Sequence, residues 1–108
     1  MNNVKAIITD LDRTLLRTDK SLSEYTIDVL KKCKAQGIKV MAATARPERT
    51  VKEYDAAISF DAVTVMNGAK VMVGDKVMTY GIPDGLAEEM LAKVCEHKEF
   101  LFSVETGE

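Results

Sequence analysis

Cysteine is scarce: the 108 residues contain two, Cys33 and Cys95. Neither sits in a metal-ligand spacing, and one pair is a thin disulfide framework, so reduced thiols in a cytoplasm are the expectation. Both thiols are expected to act as small core residues. There is no excess of positive charge: 15 Lys and Arg face 17 Asp and Glu, for a net charge of −2. A general nucleic-acid binder carries a basic excess, so no nucleic-acid partner is expected. Apolar runs stay far short of the ~20 residues of a membrane span, and the opening Met-Asn-Asn-Val-Lys lacks the layout of a signal peptide. No membrane partner is expected. The sole histidine, His97, follows a helical stripe near its end, where a surface role outweighs a catalytic one. No internal repeat or low-complexity segment is present. What remains is 46% apolar and 30% charged residues, the balance of a soluble globular chain with one core.

The apolar patterning alternates between short runs and helical stripes. Val4 to Thr9 is short, apolar and β-branched, as in a strand covered on both faces. Ser21 with Glu24, or Ser23 alone, marks a helix start, and Ile27, Val29, Leu30 and Cys33 form its stripe up to Gly37. Ile38 to Ala43 reads as a second strand, Pro47 as the first turn of a helix reaching about Ala57, and Ala62 to Met66 as a third strand. This β-α-β-α-β order implies a parallel sheet with helical crossovers. Lys70 to Val73 and Lys76 to Tyr80 flank Gly74-Asp75 as a hairpin. Asp84 is expected to cap a helix with a stripe of Leu86, Met90, Leu91 and Val94, and Phe100 to Val104 reads as one more strand. Met66, Met72, Met78 and Met90 are expected to pack, and Lys70 and Lys76 to be solvated.

Chemistry concentrates in Asp10-Leu11-Asp12-Arg13-Thr14, where the first strand ends. Ligands of parallel sheets collect at the carboxyl ends of the strands. Two acids spaced i, i+2 on extended chain would face one side, roughly 6.6 Å apart. One carboxylate can then attack phosphorus while the other serves the leaving oxygen as acid and later activates water. Two acids beside a phosphate dianion call for a hard cation such as Mg2+. Taken alone, D-x-D-x-T is a weak pattern and an acidic turn explains it as well. Thr44, closing the second strand before a helix start, adds a hydroxyl suited to a phosphate oxygen, although a strand-end threonine is ordinary. Asn67-Gly68 closes the third strand at the same edge, and by itself is simply a turn.

Taken together, Asp10-Leu11-Asp12-Arg13-Thr14-Leu15-Leu16, Ala43-Thr44-Ala45-Arg46-Pro47 and Asn67-Gly68-Ala69 resemble the haloacid dehalogenase-like phosphatases of the Cof type. The resemblance runs from Val4 to about Tyr80, and more loosely beyond. It implies an α/β fold: a three-layer Rossmann-like parallel sheet over residues 1–80, then a hairpin and the start of an α+β cap over residues 81–108. It implies a Mg2+-dependent hydrolase of a small phosphorylated metabolite, working through an aspartyl phosphate. Asp10 would be nucleophile and metal ligand. Asp12 would be general acid and base, with its backbone carbonyl on the metal. Thr44 would hold the phosphoryl group with backbone amides near Leu11 and Asp12, and Arg46 and Asn67 would give substrate-side or supporting contacts.

Arg13 and Ala45 stand where the family has glycine, which predicts backbone strain if a left-handed conformation is needed. The family's later Lys and its further metal-binding acids have no counterpart here, so little or no turnover by this chain alone is expected. The open edge of the first strand is expected to favour self-association. A phosphorylatable receiver would need an acid at the end of the third strand, where Met66-Asn67-Gly68 supplies none. A non-catalytic fragment or interaction module is the remaining alternative.

Overall fold

A computed structural model describes residues 3–107; Met1, Asn2 and Glu108, the outermost residues of the two expected units, lie outside the described residues. Five strands form one sheet in sequence order: β1 (Ala6–Thr9), β2 (Lys39–Ala43), β3 (Ala62–Val65), β4 (Lys70–Val73) and β5 (Lys76–Thr79). The first three are parallel, with Thr9 opposite Ala42 and Ala43 opposite Thr64. The last two run antiparallel, Val65 opposite Lys70 and Val73 opposite Lys76, so Gly74-Asp75 is the hairpin turn that the sequence predicts.

Helix α1 (Glu24–Ala35) links β1 to β2, and its start is fixed by Ser23, whose hydroxyl accepts from the Thr26 amide. Gly37, at φ 82°, lets the chain leave that helix and turn into β2. The β2–β3 connection is shorter in helix than the sequence suggests. Glu48–Thr50 makes one tight turn, and α2 (Lys52–Ile58) begins only after it.

Strand alternation decides where the core lies. Val40, Ala42, Val63 and Val65 face the crossover helices and are buried with Leu11, Leu16, Leu30, Val51, Tyr54 and Ile58. The opposite face, carrying Ile8, Met41, Ala62, Thr64 and Val71, forms a shallow apolar hollow, and Ile8 is 68% exposed. Within the described residues, therefore, two of the three expected layers are present, and β1 is covered on one face only. Of the α1 stripe, Leu30 is buried, whereas Val29 is exposed, because the helix offers the sheet a narrower face than its apolar positions span.

Several expectations from β4 onward are corrected. Helix α3 (Asp84–Cys95) forms, but Pro83 is its N-cap residue, and Asp84 is the first helical position and makes no capping bond. No α3 residue is buried, so Met90 and Cys95 are exposed, as is Met78 on β5. Amphipathic helices are stabilised by what they pack on, and α3 has little to pack on among the described residues. Phe100 to Val104 is not a strand, since no neighbouring strand satisfies its backbone. Lys70 is not solvated: it pairs with Glu48 and is largely covered.

Candidate active site

The parallel strands bring three loops to one rim. Asp10 follows β1 in extended conformation. Thr44 follows β2, its amide donating to the Thr64 carbonyl at 3.0 Å. Met66–Gly68 follows β3 and is tied to the β2 loop, with the Asn67 amide donating to the Thr44 carbonyl at 3.2 Å and the Met66 amide to the Arg46 carbonyl at 2.9 Å. Those bonds hold three successive left-handed residues, Met66, Asn67 and Gly68, with φ of 50°, 56° and 96°.

Asp10, Thr44, Asn67 and Gly68 line a common cleft of about 460 Å³, with Ala43, Ala45 and Thr64. That volume is in the range that holds a small ligand. Thr44 is 6% exposed, and its hydroxyl oxygen accepts from the Arg46 amide at 3.1 Å. Its hydroxyl proton stays available for a ligand oxygen. The Asp10 carboxylate accepts from the Thr14 hydroxyl at 3.3 Å, which leaves most of its lone pairs free. Thr64 contributes a buried hydroxyl oxygen that has no hydrogen-bond partner.

The spacing rationale for Asp12 is corrected. The chain does not stay extended through Leu11–Leu15 but curls into a single wide turn closed by the Leu16 amide on the Leu11 carbonyl at 2.8 Å. Leu11 is fully buried and anchors the curl in the core. Asp12 and Arg13, at (−66°, 125°) and (58°, 13°), have type II turn geometry. Asp12 therefore leaves the strand direction and meets Arg46. The guanidinium donates from Nε and Nη2 to the two Asp12 carboxylate oxygens, both at 2.7 Å. This fork-to-fork pair is the strong, geometrically exacting kind. Its hydrogen bonds hold the Asp12 carboxyl below the usual carboxylate range, and Asp12 raises Arg46 in return.

Asp10, Thr44 and Asn67 thus share the cleft, whereas Arg46 is turned toward Asp12, a partnership that sequence reading did not find. It also missed Tyr54 of α2, whose ring lies under the guanidinium at 5.4 Å. The Arg46 amide bond to Thr44 and the absence of a helix directly after Thr44 show that a bend, not a helix N-terminus, backs the threonine.

The donor set for a divalent cation is small. No group of three His, Cys, Asp or Glu side chains gathers among the described residues. Mg2+ accepts few protein ligands and keeps several waters. The Asp10 carboxylate, which has one weak hydrogen-bond partner, suits that habit as one ligand of such a shell.

The haloacid dehalogenase-like hydrolase family model matches residues 7–108. This chain belongs to that family. It is 34% identical to a phosphatase of the superfamily from Bacteroides thetaiotaomicron, with a TM-score of 0.71 over 86% of this chain and 36% of that one. A subclass IIB sugar phosphatase matches at 32% identity and a TM-score of 0.71, covering 88% of this chain and 38% of that one. A Haemophilus influenzae protein, provisionally named a phosphatase, is 28% identical along an alignment of 101 positions, and the match covers 84% of this chain and 37% of that protein. The likeness to subclass IIB agrees with the Cof-type motifs. The chain spans little more than a third of these relatives. No described helix is long and apolar enough to cross a membrane.

Proposed function

We propose that this chain carries the nucleophile half of a Mg2+-dependent phosphomonoester hydrolase that acts on a small phosphorylated metabolite in the cytoplasm. The observation that carries the reading is the shared cleft: Asp10 and Thr44 line it from adjacent strand ends. In this reading Asp10 attacks phosphorus, forming an aspartyl phosphate as the ester oxygen departs. Asp12, after exchanging its Arg46 pair for a proton, gives that proton to the departing oxygen, then takes one from the water that cleaves the acyl phosphate and frees Asp10. Thr44, with the amides near Leu11 and Asp12, holds the phosphoryl oxygens, and Asn67 supports the rim. Asp10 and the Asp12 carbonyl are the residues that would hold Mg2+, which when bound offsets the repulsion between carboxylates and a phosphate dianion.

Residues 1–80 are proposed as part of the catalytic core and 81–108 as the start of a cap. The short donor set predicts slow turnover by this chain alone, since losing one charge-stabilising donor costs about 10²–10³ in rate. The open edge of β1 is proposed to favour self-association; a clean monomer in size-exclusion chromatography with light scattering would dismiss that part.

The test is p-nitrophenyl phosphate hydrolysis with and without Mg2+, paired with mass spectrometry for an acyl-phosphate adduct after exposure to acetyl phosphate. Mg2+-dependent turnover or adduct formation, abolished by Asp10→Asn, supports the reading. Hydrolysis that survives Asp10→Asn, or no Asp10-dependent phosphorylation at all, refutes it. The second result would favour a non-catalytic fragment or interaction module.

A further inference from the structure

The Asp12–Arg46 pair does not stand by itself. Arg46 lies in the bend after β2, where long side chains have many rotamers, yet its side chain is only 15% exposed. Three contacts hold it. The Tyr54 ring lies 5.4 Å from its guanidinium carbon, a cation–π distance. Its Nη1 reaches the Thr50 carbonyl at 3.5 Å, and Asp12 takes the other edge. Tyr54 is in turn fixed at both ends. Its ring is packed in the core with Leu11, Leu16 and Val51. Its hydroxyl donates to the Lys20 carbonyl at 2.9 Å. Lys20, at φ 67°, belongs to the loop that follows the acidic turn, and its own amide donates to the Arg17 carbonyl at 2.9 Å. One aromatic side chain on α2 therefore touches the loop after β1, the bend after β2 and the core between them.

We propose that Tyr54 is a positioning residue of the active site: its ring face and its hydroxyl tether fix the Arg46 guanidinium, and Arg46 fixes the rotamer of the Asp12 carboxylate. The functional value of that rotamer rests on the reading of Asp12 as the acid–base group. With both oxygens on Arg46 the resting carboxylate carries no proton, so the fork fixes the rotamer from which Asp12 must be released to work, and small displacements of reacting groups are expensive. Asp12 sits in a surface turn and its side chain is 46% exposed, so the turn alone cannot immobilise it. The fork from Arg46 can, provided that Arg46 is itself immobile. Tyr54 supplies that rigidity from outside the cleft, whose lining includes none of Asp12, Arg46 and Tyr54. Its fold-level role in the core and its positioning role are separable, because the hydroxyl contributes to the second and little to the first.

The experiment is solution NMR on the chain as it stands. The three-bond couplings from Asp12 Cγ to its backbone nitrogen and carbonyl carbon report whether χ1 occupies one rotamer, and the Arg46 Nε proton reports the fork. The expected wild-type result is a single Asp12 rotamer and a slowly exchanging Arg46 Nε proton. Tyr54→Phe keeps the ring and the packing but removes the tether, and should speed Arg46 Nε exchange by about 3–10-fold, as loss of one hydrogen bond would. Tyr54→Leu should average the Asp12 couplings over rotamers while leaving those of Asp10 unchanged. Amide spectra control for folding, and Tyr54→Phe, which fills the same volume, stands if Tyr54→Leu does not fold. Unchanged Arg46 exchange in folded Tyr54→Phe, or an Asp12 rotamer already averaged in the wild type, overturns the proposal. These readouts need no turnover, so loss of the phosphatase reading through Asp10→Asn and loss of the positioning device are separate results.

Discussion

Arg13 offers the sharpest test of how the acidic turn is built. It has φ 58° and ψ 13°, a left-handed conformation that an L side chain adopts at a cost of about 1–2 kcal/mol. The preceding Asp12, at φ −66° and ψ 125°, makes the pair a type II turn, which favours glycine at its second central position. Arg13→Gly should relieve that cost, less the extra freedom that glycine gains in the unfolded chain, about 0.5–1 kcal/mol. The net expectation is stabilisation by about 0.5–1 kcal/mol. At about 4–8 °C per kcal/mol for a domain of this size, Tm should rise by about 2–8 °C. Charge is a confounder, because Arg13 also contributes a small favourable field at Asp12. Arg13→Ala controls for it: alanine loses the same charge but keeps the Cβ that makes the conformation costly. Melting curves by circular dichroism at pH 7, with urea unfolding as a second measure, should therefore rank Arg13→Gly above both the wild type and Arg13→Ala. If Arg13→Gly melts at or below Arg13→Ala, the turn holds no relievable strain.

Asp61 accepts from the buried Val40 amide at 2.8 Å, and Asp61→Ala should leave that amide unpaired and destabilise the chain by about 1–3 kcal/mol in urea. The same hydrogen bond, with Lys34 and Lys39 nearby, lowers the Asp61 pKa, so its stabilisation is complete above the unfolded value near 3.8 and is lost as pH falls through the lower folded value. A pH series of wild-type and Asp61→Asn melts should therefore converge only under strongly acidic conditions. Ile58→Ala should cost about 2–5 kcal/mol, because the side chain is 1% exposed in the smaller core cluster; a loss under 1 kcal/mol would mean that the helix face repacks freely. Ser23→Ala should cost about 0.5–2 kcal/mol by removing the cap on the Thr26 amide, seen as a lower urea midpoint at unchanged slope.

Legibility in the sequence followed the range of the interaction that shapes each element. The three parallel strands and the hairpin were readable because short β-branched runs and a Gly-Asp turn carry their signal within a few residues. The same strands brought Asp10, Thr44 and Asn67 to one rim, as their positions at three strand ends implied. The strain at Arg13 was readable too, since glycine's absence from that turn is visible in the sequence, whereas Ala45 has no left-handed backbone to be strained by. Contacts that close over long separations were not readable. Arg46 meets Asp12 across 34 positions, and Tyr54 reaches the Lys20 carbonyl across another 34, with no local pattern to announce either pairing. For the same reason the stripe on α3 and the apolar run Phe100 to Val104 promised a core contact and a strand that the described residues do not make. A stripe records only that a face suits burial, and a β-prone run only that it suits pairing. Whether either happens depends on a second surface elsewhere in the chain or beyond it. The acidic turn shows the converse. Its two carboxylates have the spacing of a strand but not its geometry, and a guanidinium from the neighbouring loop, held by an aromatic ring from the next helix, decides where the second one points.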